Sequence, residues 1–218
     1  MLNFFCSWAT GFAILTTSHL SWADTFRLNL NQDFSKKESV DRDLFGLNLL
    51  YTVTDEERAS MVSSLKGKIN FVRWPGGTLV NAYHYRRPHY RAHANSRDGY
   101  DPRLDGDAED FTDFNELLAF TKSLGAKPMI GIPLQSGYKK VGNRAVWDPQ
   151  FENEIRDIAI NFASKVEYAY IDNETGIQHG LFANKFDRAM SSEEYAYAYN
   201  RIRPILLSKN PKLKILAN

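Results

Sequence analysis

The chain has 218 residues, of which 43% are hydrophobic, 24% charged and 13% aromatic. That is apolar material for one domain with a sizeable core, and 13 Gly with 8 Pro exclude a collagen-like or disordered polymer. Lys+Arg of 27 against Asp+Glu of 26 leaves a formal charge of +1, so no broad basic field exists to gather nucleic acid or an anionic membrane.

Residues 1–23 contain no Asp, Glu, Lys or Arg, and residues 4–17 are largely apolar. Ser21 and Ala23 place small side chains three and one positions before Asp24. This predicts a secretory signal peptide cleaved after Ala23, hence a secreted or periplasmic protein with no stable membrane association once cleaved. An uncleaved anchor is the other reading, but Thr16, Thr17, Ser18 and His19 break the apolar run and leave it short for spanning. The single cysteine, Cys6, falls in this segment. The remaining domain, 24–218, therefore has no disulfide, Cys ligand or Cys nucleophile.

An extended piece is expected at 25–29. Residues 44–51 are then a continuous apolar run, the pattern of a strand buried on both faces. Thr54 with Asp55, Glu56 and Glu57 supplies a cap and acidic first turn for a helix to about Lys66. A strand over 68–74 stops at Pro75-Gly76-Gly77, and a polar, aromatic and basic loop runs to about Asp110. Helix follows over 112–124, ending at Gly125, then a strand over 127–132 ending at Pro133. The spacing predicts a helix over 149–164, a strand over 166–173, a helix from Ser191 to about Lys209, and a last strand over 213–218.

Five strands alternating with four helical crossovers call for a parallel sheet with right-handed connections. An open doubly wound sheet and a (β/α)8 barrel both fit. The first would carry a Gly-rich phosphate turn after its first strand, and none follows Tyr51. Polar residues gather instead at several strand ends, Asn48, Arg73, Gln135, Asn173 and Glu174, which is the barrel's habit. A full barrel takes about 250 residues, and removing 23 from 218 leaves 195. The expected fold class is α/β, an incomplete (β/α)8 TIM barrel of about strands one to five.

Two segments carry candidate chemistry. Arg73 is delivered to a strand end that Pro75-Gly76-Gly77 turns open, where it can hold a carboxylate by charge-assisted hydrogen bonds; a structural ion pair under a tight turn is the plainer reading. The strand Tyr168-Ala169-Tyr170-Ile171 ends in Asp172-Asn173-Glu174. Glu174 there can act as a general acid and Asn173 can hydrogen-bond a substrate hydroxyl, although a single Glu after a strand is more commonly a solvated loop residue. Asn173-Glu174-Thr175 is also an N-glycosylation sequon, and a glycan there would exclude catalysis.

Taken together, Phe45-Gly46-Leu47-Asn48, Arg73-Trp74-Pro75-Gly76-Gly77 and Asn173-Glu174 resemble the retaining glycosidases of the (β/α)8-barrel clan. The nearest subgroup is the alpha-L-arabinofuranosidases, with the heparanase-like and beta-xylosidase groups as relatives. Residues 113–128 and 191–217 are similar to the third-strand approach and the run into the fifth strand, so the resemblance covers about 44–218. It implies Glu174 as acid/base, Arg73 as the residue bracing the nucleophile, and Asn173, Asn48 and Trp74 as substrate-binding residues. The implied partner is a carbohydrate, with no cofactor and no metal. The family commonly has Gly before Asn-Glu, where this chain has Asp172, and no position matches the family's seventh-strand nucleophile. A retaining enzyme needs two carboxyls about 5–5.5 Å apart, so the 218-residue chain alone is expected to have little activity. A noncatalytic carbohydrate-binding or interaction protein is the alternative.

The loop 83–93 is dense in Tyr, His and Arg and suits either sugar stacking or packing against another surface. His84, His89 and His93 do not share a helix face, so their spacing argues against zinc.

Overall fold

The computed structural model describes residues 45–85, 89–90, 111–176 and 181–217. Contacts divide the chain after residue 40, and all described residues lie in the second unit, Asp41–Asn218. The segment 1–23 expected to be a signal peptide, with Cys6, the expected 25–29 extended piece, and residues 86–88 and 91–93 of the aromatic-basic loop lie outside the described residues.

Helix starts follow the sequence closely. α1 (Asp55–Leu65) opens with a capping box: the Thr54 hydroxyl accepts from the Glu57 N–H, and the Glu57 carboxylate accepts from the Thr54 N–H. α2 (Phe114–Leu124) repeats this with Asp113 and Glu116, and α5 (Ser192–Lys209) with Ser191 and Glu194. Each box satisfies two otherwise orphaned donors, and losing a cap costs about 1 kcal/mol. α2 buries Phe114, Leu117, Phe120, Thr121 and Leu124, a helical stripe, and α3 (Phe151–Asn161) buries Phe151, Ile155, Ile158 and Ala159.

The main sheet is formed by β1 (Gly46–Asn48), β2 (Phe71–Trp74), β5 (Lys127–Ile132), β8 (Tyr168–Ile171) and β9 (Lys214–Leu216), in that spatial order. Every neighbouring pair is parallel. The order never reverses, so there is no switch point of the kind that defines a doubly wound sheet. With right-handed crossovers, successive helices fall on one face of such a sheet. Contacts between α1 and α2, and between α3 and α5, agree with that arrangement.

The two faces of the sheet differ sharply. Val72, Trp74, Ile130, Ile132, Ala169 and Ile171 are buried. Their alternates Phe71, Arg73, Met129 and Tyr168, with Asn48 and Leu216 of the edge strands, line an open groove of about 650 Å³. The expectation that 44–51 is a strand buried on both faces is therefore corrected. β1 is three residues long with Gly46 and Asn48 exposed, because nothing among the described residues covers the groove side.

Three features within the predicted loops are new: the pair β3 (Tyr83–His84) and β4 (His89–Tyr90), the hairpin β6 (Tyr138–Val141) with β7 (Arg144–Trp147), and α4 (Leu181–Phe186). Tyr83 and Tyr85, read as loop residues, are buried against Trp74 in a cluster that reaches Phe114 and Phe162. Arg58, 6% exposed, ties α1 to α2 through Asp55, Glu116, the Val53 carbonyl and the Thr112 hydroxyl. No helix among the described residues is long and apolar enough to cross a membrane.

Candidate functional site at the strand ends

Parallel strands place all their C-terminal ends on one rim, and β1, β2 and β8 bring their polar residues to it. At the end of β2 the chain turns through a cis Trp74–Pro75 bond into Gly76, whose φ is +86°. A Cβ at Gly76 would lie 2.7 Å from the Leu49 carbonyl, so both the backbone angle and the close approach of the β1 extension require glycine. The Gly77 N–H then reaches the Asn48 side-chain oxygen at 3.4 Å.

Arg73 projects from β2 onto the groove face. Its Nη2 donates to Asn173 Oδ1 at 2.8 Å, and its guanidinium lies 4.0 Å from the centre of the Tyr170 ring. Tyr170 reaches this position because its register partner on β5 is Gly131; a Cβ there would come within 2.6 Å of the phenol. The Tyr170 hydroxyl is buried without a well-formed hydrogen bond among the described residues, although Gly76 and Arg73 lie beside it. Burial pushes its pKa above the ordinary phenol value. Among the described residues no carboxylate forms an ion pair with Arg73. The plainer reading of Arg73, a structural ion pair, has no counterpart there.

The segment after β8 is held from several sides. The Asp172 N–H donates to the Ile132 carbonyl at 3.0 Å, the last bond of the ladder. Asp172 Oδ2 accepts from the Gln135 N–H at 2.8 Å, and Gln135 Oε1 accepts from the Phe182 N–H. Asp172 is fully buried, and burial pushes its carboxyl well above the usual range against the weaker pull of the Gln135 and Leu134 N–H groups. Its φ is +50° and that of Glu174 is +52°. Both are left-handed angles, which glycine adopts freely and other residues seldom do.

The five residues named from sequence divide accordingly. Asn48, Arg73 and Asn173 face the rim, with Arg73 and Asn173 in direct contact. Asn173 of the sequon commits its side-chain oxygen to Arg73. Glu174 follows on the same segment with its side chain exposed. Trp74 is corrected: it is 0% exposed, lies on the opposite face, and donates its Nε1–H to the Thr112 carbonyl, so no sugar ring can reach it. Sequence reasoning missed Asn81, 1% exposed, whose side chain bonds the backbone of Asn173. The only local signal was a polar residue inside the otherwise apolar run Leu79-Val80-Asn81-Ala82.

No family model matches the chain, and no curated protein does. Solved structures do. An alpha-L-arabinofuranosidase from Thermotoga maritima is 18% identical with a TM-score of 0.50, covering 79% of this chain and 39% of that one. A bifunctional glucanase-xylanase from a metagenome library gives 13% identity and a TM-score of 0.51, covering 82% and 42%. A Paenibacillus polymyxa xyloglucanase of glycoside hydrolase family 44 gives 12% identity and a TM-score of 0.50, covering 82% and 41%. The described fold is thus similar to that of glycoside hydrolases, and the chain spans about two fifths of their length.

Proposed function

We propose that this chain is the N-terminal part of a secreted glycoside hydrolase of the arabinofuranosidase type, cutting O-glycosidic bonds of polysaccharides or oligosaccharides by retaining double displacement. The observation that carries the reading is the Arg73–Asn173 contact, which joins the ends of the second and fourth sheet strands across 100 positions of sequence at one rim. In this reading the sequential parallel sheet is the first five strands of a (β/α)8 barrel, and the groove face is its interior.

Glu174 protonates the leaving glycosidic oxygen, then removes a proton from the water that releases the sugar. Asn173 and Asn48 hydrogen-bond substrate hydroxyls. Arg73 braces the carboxylate that attacks the anomeric carbon, and in this reading that carboxylate lies outside the five strands described. Residues 1–218 alone then bind sugar without turning it over.

The test begins with the intact mass of the protein from its native source. A product well above roughly 30 kDa has room to close a barrel. In that product, Glu174→Gln should abolish turnover of substrates with poor leaving groups while activated aryl glycosides keep part of theirs. Turnover by purified 1–218 would overturn the placing of the nucleophile, and an unaffected Glu174→Gln enzyme would overturn the acid. A native product of roughly 22–23 kDa, the signal alone removed, favours the noncatalytic carbohydrate-binding reading, which the lack of a carboxylate on Arg73 among the described residues also suits.

A further inference from the structure

Asn81 lies in the turn Gly77–Ala82 and is 1% exposed. A buried amide must find partners for its donor and its acceptor. Both go to one residue: Asn81 Nδ2 donates to the Asn173 carbonyl at 3.1 Å, and Asn81 Oδ1 accepts from the Asn173 N–H at 2.8 Å. The ladder between β5 and β8 ends one residue earlier, at the bond from Asp172 N–H to the Ile132 carbonyl. The Asn81 side chain supplies at Asn173 the donor and acceptor that a neighbouring strand would have supplied.

Asn173 stands between two residues with left-handed backbone angles, Asp172 and Glu174. Non-glycine residues hold such angles only where their surroundings over-determine them. The Asn81 backbone carbonyl also accepts from Ser136 Oγ at 2.7 Å, so the loops after β2, β5 and β8 meet at this one residue. We propose that Asn81 is the positioning residue for Asn173 and Glu174: it holds their peptide at the rim while Arg73 orients the Asn173 side chain. Its consequence for catalysis rests on the reading of Glu174 as the acid; its hold on the peptide does not.

Asparagine alone fits this role. Aspartate keeps the acceptor but cannot donate to the Asn173 carbonyl unless protonated, and glutamine adds a methylene at a position only 1% exposed. The test is amide hydrogen exchange in ¹⁵N-labelled 1–218, with each rate expressed as protection relative to the unfolded chain at the same pH. In Asn81→Ala, Asn173 should lose at least about tenfold of its protection, the scale of one buried hydrogen bond. Ala169 and Ile171 should keep theirs. Asn81→Asp keeps the acceptor for the Asn173 N–H, so Asn173 should keep more of its protection there than in Asn81→Leu, which fills similar space with no acceptor, a difference that a merely space-filling role would not show.

Unchanged protection at Asn173 in Asn81→Ala, an equal loss along all of β8, or equal protection in Asn81→Asp and Asn81→Leu would each overturn the assignment. In a form with turnover, Asn81→Ala should lower kcat by up to about 10²-fold with KM little changed, the effect of a small misplacement. A normal kcat there would overturn the positioning of the acid. An inert Glu174→Gln change beside a positive exchange result would instead end the glycosidase reading and leave the role of Asn81 standing.

Discussion

Arg73 Nη2 lies 2.8 Å from Asn173 Oδ1, so two residues from different strand ends meet at the rim of the sheet. Beyond this amide and the Tyr170 ring, the half-buried guanidinium has no charged partner among the described residues. Groups retained for function rather than stability behave this way, since a charge taken partly out of water without a counter-charge costs free energy. Arg73→Met in 1–218 should therefore leave the urea unfolding free energy within about 1 kcal/mol of the parent, or raise it. A loss above about 3 kcal/mol would mark Arg73 as a structural strut.

Tyr170 and Gly131 form a matched pair, the ring occupying space that only glycine leaves. Tyr170→Phe removes a buried hydroxyl that lacks a well-formed bond and should stabilise by up to about 1 kcal/mol. Gly131→Ala drives a methyl into Tyr170 and Val80 and should cost about 1–3 kcal/mol. A double-mutant cycle with Tyr170→Ala should recover part of that loss, and strict additivity would argue against the pairing.

Asp172 couples stability to pH. Its carboxyl titrates near 3.9 in an unfolded chain and higher in the fold, because burial disfavours the charged form. Between the two values the folded protein holds a proton that the unfolded chain has released. The contribution is thus fully present below about pH 3.9 and is lost as pH rises through the folded value. Asp172→Asn should flatten that part of the profile. Urea midpoints measured from acid to neutral pH decide it, and an unchanged slope in the variant would refute the assignment.

Arg58 is the opposite case from Arg73. It is buried, faces Asp55 and Glu116, and bonds the Val53 carbonyl and the Thr112 hydroxyl. Arg58→Ala should cost about 3 kcal/mol by stranding these groups. It should also speed hydrogen exchange at the start of α2 before exchange in β8, as native-state exchange would show.

Much of the fold was legible because its signals are local. Thr54 with Glu57, Asp113 with Glu116 and Ser191 with Glu194 sit at the spacing a capping box needs, and each forms one. β5 covers the predicted 127–132 span. Trp74 was misplaced because side chains alternate along a strand, and its neighbour Arg73 took the groove face. Tyr83 and Tyr85 looked like loop aromatics, since periodicity carries no information about a core assembled from an irregular segment.

By itself the sequence determined the order and type of the main elements, the glycine turn after β2, and the candidacy of Arg73, Asn173 and Glu174. Those follow from dihedral preference, capping and side-chain chemistry within a few residues. Only the tertiary structure decided which face each strand residue takes, that one sheet face stays open among the described residues, and that Asn81 grips Asn173 from 92 positions away. Such contacts depend on register and on how strands stack laterally, and the pairing that creates them has no signature in either segment alone.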